Sequence, residues 1–241
     1  MTTKSLLFYK QPVMLDKVKH KDLKLKKISG YDYAKDVNSV PVSGLEFFNC
    51  SRNFPVMFVK NNSEEYIPIA VLSLKTQGHS LGDTWENVYV PSFVRRYPFV
   101  LEANQGMVMI DAEAPQLQEE EGEALFQEDG EPTQFLREIM AFLDNCDKSY
   151  KLTEAYTKAL KEKELLEPFK GVIKFADASL KLDHLHVINE QKMYEALSDA
   201  DVVEWFKKGW LAWSHAHLHS ISAMSELVKR LPKKESTPDP A

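Results

Sequence analysis

Two adjacent arginines, Arg95 and Arg96, stand in the most constrained stretch of the chain, Trp85-Glu-Asn-Val-Tyr-Val-Pro-Ser-Phe-Val-Arg-Arg-Tyr-Pro-Phe99. A guanidinium surrounded by Trp85, Tyr89, Phe93, Tyr97 and Phe99 has to be paired, because a lone buried charge costs several kcal/mol. Two uses of the pair follow. In the structural one, an arginine forks onto a carboxylate such as Glu46, Asp83 or Asp111 and pins a corner of the fold. In the functional one, the other arginine holds an anionic small ligand or a partner's carboxylate in an aromatic-walled pocket. The ligand-binding set is then Arg95, Arg96, Trp85, Tyr89, Tyr97 and Glu46. A deep pocket at the corner favours the ligand, and a flat apolar patch near Trp205 favours a protein partner.

The histidines are the second group with chemistry in their spacing. His215 and His219 are four apart and share a helix face, while His184 and His186 alternate on a predicted strand and point to one side. Four imidazoles in such pairs are compatible with a transition metal, but no HExxH or similar carboxylate-bearing pattern accompanies them. His217 falls on an apolar stripe and reads as a core histidine. No metal and no cofactor is expected. There is no GxGxxG, Walker loop, GxSxG or Cys-His arrangement, and the acidic run at 113–131 lacks the DxDxDG core of an EF-hand. Cys50 and Cys146, the two cysteines, lie far apart in sequence and read as buried thiols of a reducing compartment.

The elements that must position these residues can be read from periodicity. Val88 and Val90 alternate with Asn87 and Tyr89, which predicts a strand ending at Pro91. A short helical turn carries the arginines, and Phe99-Val-Leu101 is extended again. Phe54 to Val59 and Tyr66 to Leu74 predict a hairpin, with Pro68 placing the start of the second strand at a sheet edge. Gly106 to Asp111 adds another strand, and alternation from Asp22 to Lys26 gives one with a basic, solvated face.

Residues 112–131 read as an acidic surface loop tacked down by Phe126. Beyond it the pattern is mainly helical. Apolar positions at helical spacing predict one helix from Pro132 through Leu143 and a second from Leu152 to Leu160. Val172 to Phe175 and Leu182 to Ile188 predict a hairpin, and Asn189 caps a short helix to Leu197. Ser198-Asp-Ala-Asp201 opens a last helix whose stripe, Val203, Phe206, Trp210, Trp213, His217, Ile221, Met224, Val228 and Leu231, predicts one continuous buried face. Trp205 falls off that stripe, so an exposed Trp205 would mark a contact surface, and Gly209 is a candidate kink. The fold class is α+β: a twisted, mainly antiparallel sheet from the N-terminal half packed against C-terminal helices. One domain is expected over 1–241, β-rich at 1–111, an acidic loop at 112–131, mainly helical at 132–231, and a polar tail at 232–241.

Composition sets the outer limits. The chain has 241 residues, 44% hydrophobic and 27% charged, enough for a sizeable core. A net charge of −6 argues against a nucleic-acid binder. No apolar run approaches the length of a transmembrane segment, and the first ten residues do not have the form of a signal peptide. The location expected is cytoplasmic.

Four blocks carry a family likeness. They are Asn53-Phe-Pro-Val-Met-Phe58 after Glu46-Phe47, Trp85 with Tyr89-Val-Pro-Ser-Phe-Val-Arg-Arg-Tyr-Pro-Phe99, Gly122-Glu-Ala-Leu-Phe-Gln-Glu-Asp-Gly-Glu-Pro-Thr133, and His215-Ala-His-Leu-His-Ser220. Together they make the chain resemble the bacterial SapC family over roughly residues 15–230. The resemblance implies a link, by family name, to surface-layer (S-layer) biology, and it carries no catalytic mechanism over. The reading is therefore a SapC-like accessory protein, leaning to non-enzymatic and acting through protein–protein interaction. The alternative is a small-ligand binder or enzyme with an anion site at Arg95 and Arg96.

Overall fold

In the computed structural model, which describes residues 6–27, 29–75, 77–102, 106–174, 179–182 and 184–230, antiparallel strands dominate the first half and helices the second. The first half supplies β1 (Pro12–Met14), β2 (Lys24–Leu25), β3 (Ser39–Pro41), α1 (Phe47–Cys50), β4 (Val56–Lys60), β5 (Tyr66–Val71), α2 (Ser92–Arg95), β6 (Phe99–Leu101) and β7 (Val108–Asp111). Two short strands follow, β8 (Leu117–Gln118) and β9 (Glu123–Ala124). The second half holds α3 (Gln134–Glu162), β10 (Leu166–Pro168), β11 (Val172–Lys174), β12 (Ser179–Lys181), β13 (His186–Ile188) and α4 (Glu190–Ala196). It ends with α5 (Asp199–Lys208), α6 (Trp210–Ser220) and α7 (Met224–Lys229). The α+β class read from the sequence is the class observed.

β4 and β5 form the expected hairpin, in register from Val56↔Ala70 to Lys60↔Tyr66. Its turn is fixed by Asn61, whose Oδ1 accepts the amides of Ser63 and Glu65 at 2.8 and 2.9 Å. The hairpin lies inside a five-stranded sheet of order β10-β13-β4-β5-β3. The start of β5 lies at a sheet edge, as Pro68 suggests, although the rest of the strand is covered by β3. β3 pairs with residues 69–71 alone, so the proline falls just outside its span and no ladder bond is missed there. The hairpin expected over 172–188 also divides. β11 pairs with β12, while β13 joins β10 and the free edge of β4 at His186↔Phe58; Phe175 lies outside the described residues. A second sheet has the order β1-β7-β6.

The acidic stretch is more ordered than a loop. β8 and β9 clamp β2 from both sides, and Leu125, fully buried, anchors the segment with Phe126 packed beside it. Residues 232–241, read as a polar tail, lie outside the described residues.

The two helices expected between 132 and 160 are one, α3, 29 residues long and capped by Thr133. The polar stretch between their apolar faces does not break it. Its charges pair at helical spacing, Lys148 with Asp144 at 2.6 Å and Lys151 with Asp147 at 2.7 Å. Conversely, the one helix expected from Ser198 onward is several. Gly209, at φ 74°, takes the left-handed conformation that ends α5 and starts α6, which glycine adopts without the Cβ penalty. The reversal changes which face of α5 is inward. Trp205 is buried, whereas Val203 and Phe206 are exposed, so the stripe expected to be continuous is not.

Trp205, Trp210 and Trp213 pack around Tyr156 of α3, with Tyr156–Trp213 ring centroids 5.4 Å apart and perpendicular. This aromatic group seats the helices on the sheet through Phe47 and Phe58. His217 completes the joint. Its Nδ1 lies 2.8 Å from the Val56 carbonyl and its Nε2 accepts the Ile188 amide at 3.1 Å, tying α6 to β4 and β13. Among the described residues no helix is long and apolar enough to cross a membrane.

Candidate functional site

The corner is built differently from the strand–turn–strand read in the sequence. Trp85 and Asn87 have φ values of 50° and 58°, so the segment before Pro91 turns rather than extends, and no strand forms there. Side-chain alternation at 87–90 does not override backbone in the left-handed region. Pro91 then serves as the N-cap of α2, its carbonyl accepting the amides of Val94 and Arg95. α2 stops after one turn, ahead of a cis Tyr97–Pro98 bond, and β6 follows.

Glu46 is the buried centre of this corner. Oε1 accepts the Tyr89 hydroxyl at 2.9 Å and the Ser92 amide at 2.6 Å. Oε2 accepts the Ser43 amide at 3.1 Å, the Ser43 hydroxyl at 3.0 Å and the Ser92 hydroxyl at 2.9 Å. Five donors fill a carboxylate's lone-pair sites, so its charge is solvated by protein at the starts of two helical turns. Ser43-Gly-Leu-Glu46 is a capping box, a signal present in the sequence and not used there. Burial, with the Glu46 charge second, pushes the Cys50 thiol well up, and burial raises Cys146 and Tyr150 of α3 as well. Neither thiol is set up as a nucleophile.

The two arginines separate. Arg96 is 5% exposed, lies 4.2 Å over the Phe93 ring, and hydrogen-bonds the Tyr9 hydroxyl. Tyr9 in turn donates to the Phe99 carbonyl at 2.6 Å and meets Tyr97 edge-on at 5.3 Å. Tyr97 donates to Asp111 Oδ2 at 3.0 Å. Asp111 is fully buried and also accepts the amides of Lys10, Gln11 and Glu113. Burial alone would raise its pKa; those four donors outweigh burial and hold it below the usual carboxylate range.

Arg95 is exposed. Its Nε donates to the Val90 carbonyl at 3.0 Å, and its guanidinium lies 5.9 Å from the Tyr89 ring centroid and 5.3 Å from that of Phe142. Of the proposed ligand set, the structure thus joins Arg95, Tyr89 and Glu46 on one side and Arg96 and Tyr97 on the other. Trp85 belongs to a third group, packed against Tyr31, Phe54 and His79. Asp83, the remaining carboxylate considered for an arginine, bonds Asp32 and raises its pKa.

The histidine pairs do not converge. His184 is exposed and precedes β13, so it does not alternate with His186 on a strand, and His186 packs edge-on to Tyr66 at 5.1 Å. His215 and His219 are both exposed, on α6. Among the described residues no group of three or more His, Cys, Asp or Glu side chains is placed to hold a metal. Two surface cavities stand out. One of about 320 Å³ lies beside Arg52, His219 and Arg230, the other of about 170 Å³ beside Lys60, Tyr66 and Lys161. Neither is lined by Arg95 or Arg96.

One surface feature escaped the sequence reading. Phe206 is 76% exposed, Val203 53% and Val202 41%, side by side on α5 at spacings of three and four. Helical periodicity assigned Val203 and Phe206 to the core, and the turn at Gly209 is what places them outside. The helix is held firmly, by the Ser198–Asp201 capping box and by a 2.8 Å ion pair from Lys163 to Asp201.

No curated protein and no solved structure matches this chain. A family model described as SapC does, over residues 15–227, which takes in the Glu46 pin, both arginines and all of α5. With that much of its length matched, the chain belongs to the SapC family.

Proposed function

We propose that this chain is a non-enzymatic accessory protein, a single domain that acts by binding a protein partner, in the surface-layer biology that gives its family a name. The observation that carries the reading is the apolar face of α5. Val202, Val203 and Phe206 together present bulky side chains to solvent on a rigid helix, beside the buried Trp205. A helix that exposes its large residues while burying the opposite side loses nothing on folding, but it gains free energy when a second surface covers it. The polar groups that resemble catalytic ones are otherwise engaged. Glu46 and Asp111 have their oxygens filled by fixed donors, and both thiols are buried. One sheet drawing strands from both halves supports a single domain, and the two buried free cysteines support a reducing, cytoplasmic setting.

The test is a Val203→Asp/Phe206→Asp variant expressed in place of the wild type in the organism of origin. Co-purifying proteins are compared by quantitative mass spectrometry, with circular dichroism confirming the fold. A protein recovered with the wild type and lost with the variant supports the reading. An unchanged set of co-purifying proteins contradicts it.

A second reading keeps an anionic ligand or a partner's carboxylate at the corner. What favours it is Arg95, exposed and stacked on Tyr89 and Phe142 with one N–H committed to Val90. Arg95→Gln would then abolish anion binding without loss of stability.

A further inference from the structure

The larger cavity, about 320 Å³, forms where the turn after α1 meets the end of the helical half. Arg52 and Asn53 line it from the turn, His219 from the last turn of α6, and Glu226 and Arg230 from α7 and the residue after it. Three serines, Ser51, Ser222 and Ser225, complete its wall.

The hydrogen-bond state of these groups restricts what fits. Ser51 donates its hydroxyl proton to the Phe48 carbonyl at 2.9 Å, Ser222 to His219 at 2.8 Å and Ser225 to Ser222 at 2.9 Å. A serine has one O–H to give, so all three now face a ligand as acceptors. Asn53 Oδ1 is taken by the Tyr89 amide at 3.0 Å, which leaves its amide NH2 as a donor. Among the described residues neither the Arg52 nor the Arg230 guanidinium forms a hydrogen bond or an ion pair. The carboxylate in the cavity, Glu226, is bonded to Lys229 at 2.6 Å and is also attracted by the nearby Arg230 charge, without a hydrogen bond to it. The lining therefore offers two guanidinium groups whose N–H donors are unbonded, one of them beside Glu226, and a row of hydroxyl acceptors. A simple anion such as phosphate satisfies the first and wastes the second, because it brings no donors at neutral pH beyond a single hydroxyl.

We infer that this cavity binds a small polyhydroxylated anion, a sugar phosphate or sugar acid, with its charged group on Arg52 and Arg230 and its hydroxyls donating to the serines. The volume is at the small end of ligand sites and suits a single sugar unit. Two guanidinium groups also match the planar, bidentate recognition of carboxylate and phosphate better than ammonium groups would. The site lies apart from the α5 face, and its ligand does not depend on the partner proposed above.

Titration calorimetry of the full chain at 150 mM salt tests it, with glucose 6-phosphate, glucuronate, glucose and inorganic phosphate as probes. Saturable binding of glucose 6-phosphate or glucuronate is expected, at least tenfold tighter than glucose and than phosphate; the two anionic sugars distinguish a phosphate from a carboxylate ligand. Arg52→Gln and Arg230→Gln should each weaken that binding at least tenfold, with melting temperature unchanged because both side chains are exposed. Ser222→Ala/Ser225→Ala should weaken the sugar and leave phosphate as it was. No saturable binding by either anionic sugar, phosphate binding as tightly as they do, or binding indifferent to both arginine variants would overturn the inference.

Discussion

Ser92 delivers both of its donors to one carboxylate: its amide nitrogen lies 2.6 Å from Glu46 Oε1 and its hydroxyl 2.9 Å from Oε2. With Ser43 doing the same from the other helical turn, Glu46 staples the start of α2 to the start of the turn that leads into α1. The corner of the fold is therefore held by a buried anion solvated by backbone and hydroxyl groups.

That arrangement makes Glu46→Gln a severe change despite its matching shape. Whichever oxygen's place the amide NH2 takes, it meets a backbone N–H, that of Ser92 or that of Ser43, and the two donors cannot pair, although the hydroxyls can turn to accept. Leaving buried donors unpaired costs about 3 kcal/mol or more, against about 1 kcal/mol for Ser92→Ala. Urea unfolding of the two variants gives both values, and equal costs would mean that the carboxylate is not the organising group.

The arginines should answer differently to lysine. Arg96 is buried, stacked on Phe93 and bonded to Tyr9, and lysine reproduces neither contact. Arg96→Lys is expected to cost about 2 kcal/mol, a fall of roughly 4–8 °C in melting temperature for a chain of this size. Arg95→Lys, at an exposed position, should stay within about 2 °C. Equal losses would show that both side chains are structural and remove the case for a ligand at Arg95.

Gly44 is pressed against the face of the Trp213 indole, where an added Cβ would overlap the ring. Its amide is also taken by Thr153 Oγ1 at 2.9 Å, so the backbone cannot back away from the tryptophan freely. Gly44→Ala should destabilise by about 1–3 kcal/mol through overpacking, read by thermal unfolding.

His217 gives stability a pH dependence. Burial lowers its pKa from 6.5 to about 4, because the charged imidazolium is disfavoured between β4 and β13. Below pH 6.5 the unfolded chain takes up a proton that the folded chain refuses, so stability is full above that pH and falls as pH drops toward 4. The loss is on the order of 3 kcal/mol across the window. Burial also lowers His79 and His186, which add to the same trend. His217→Leu should be less stable at pH 7.5 and have a shallower slope between pH 6.5 and 4. A slope equal to that of the wild type would place the titration elsewhere.

Local signals in the sequence carried a good part of this fold. The Asn61 turn, the Asn189 cap and the Ser198 capping box each specify their element with side chains a few residues away, and all three are present. Most of what was not legible depends on distant partners. The exception is α3: between 134 and 162 the apolar pattern alone separates into two faces, and only the charge pairs at helical spacing, Asp144 with Lys148 and Asp147 with Lys151, join them into one helix. Periodicity around Val203 and Phe206 identifies a face without saying which side of α5 the core takes, and that is decided by the left-handed turn at Gly209. At the corner, the aromatic crowd around Arg95 and Arg96 was visible, but Glu46 finds its donors at 43, 89 and 92, and Arg96 finds Tyr9. The polar partners were the long-range part of the problem.

The central claim is that the exposed face of α5 is where this SapC-family protein meets its partner. A photoreactive amino acid in place of Phe206, activated in living cells of the organism of origin, interrogates that face directly, with the exposed Lys158 of α3 as control position. The account predicts one discrete crosslinked protein from position 206 and none from position 158; the same background at both positions would contradict it.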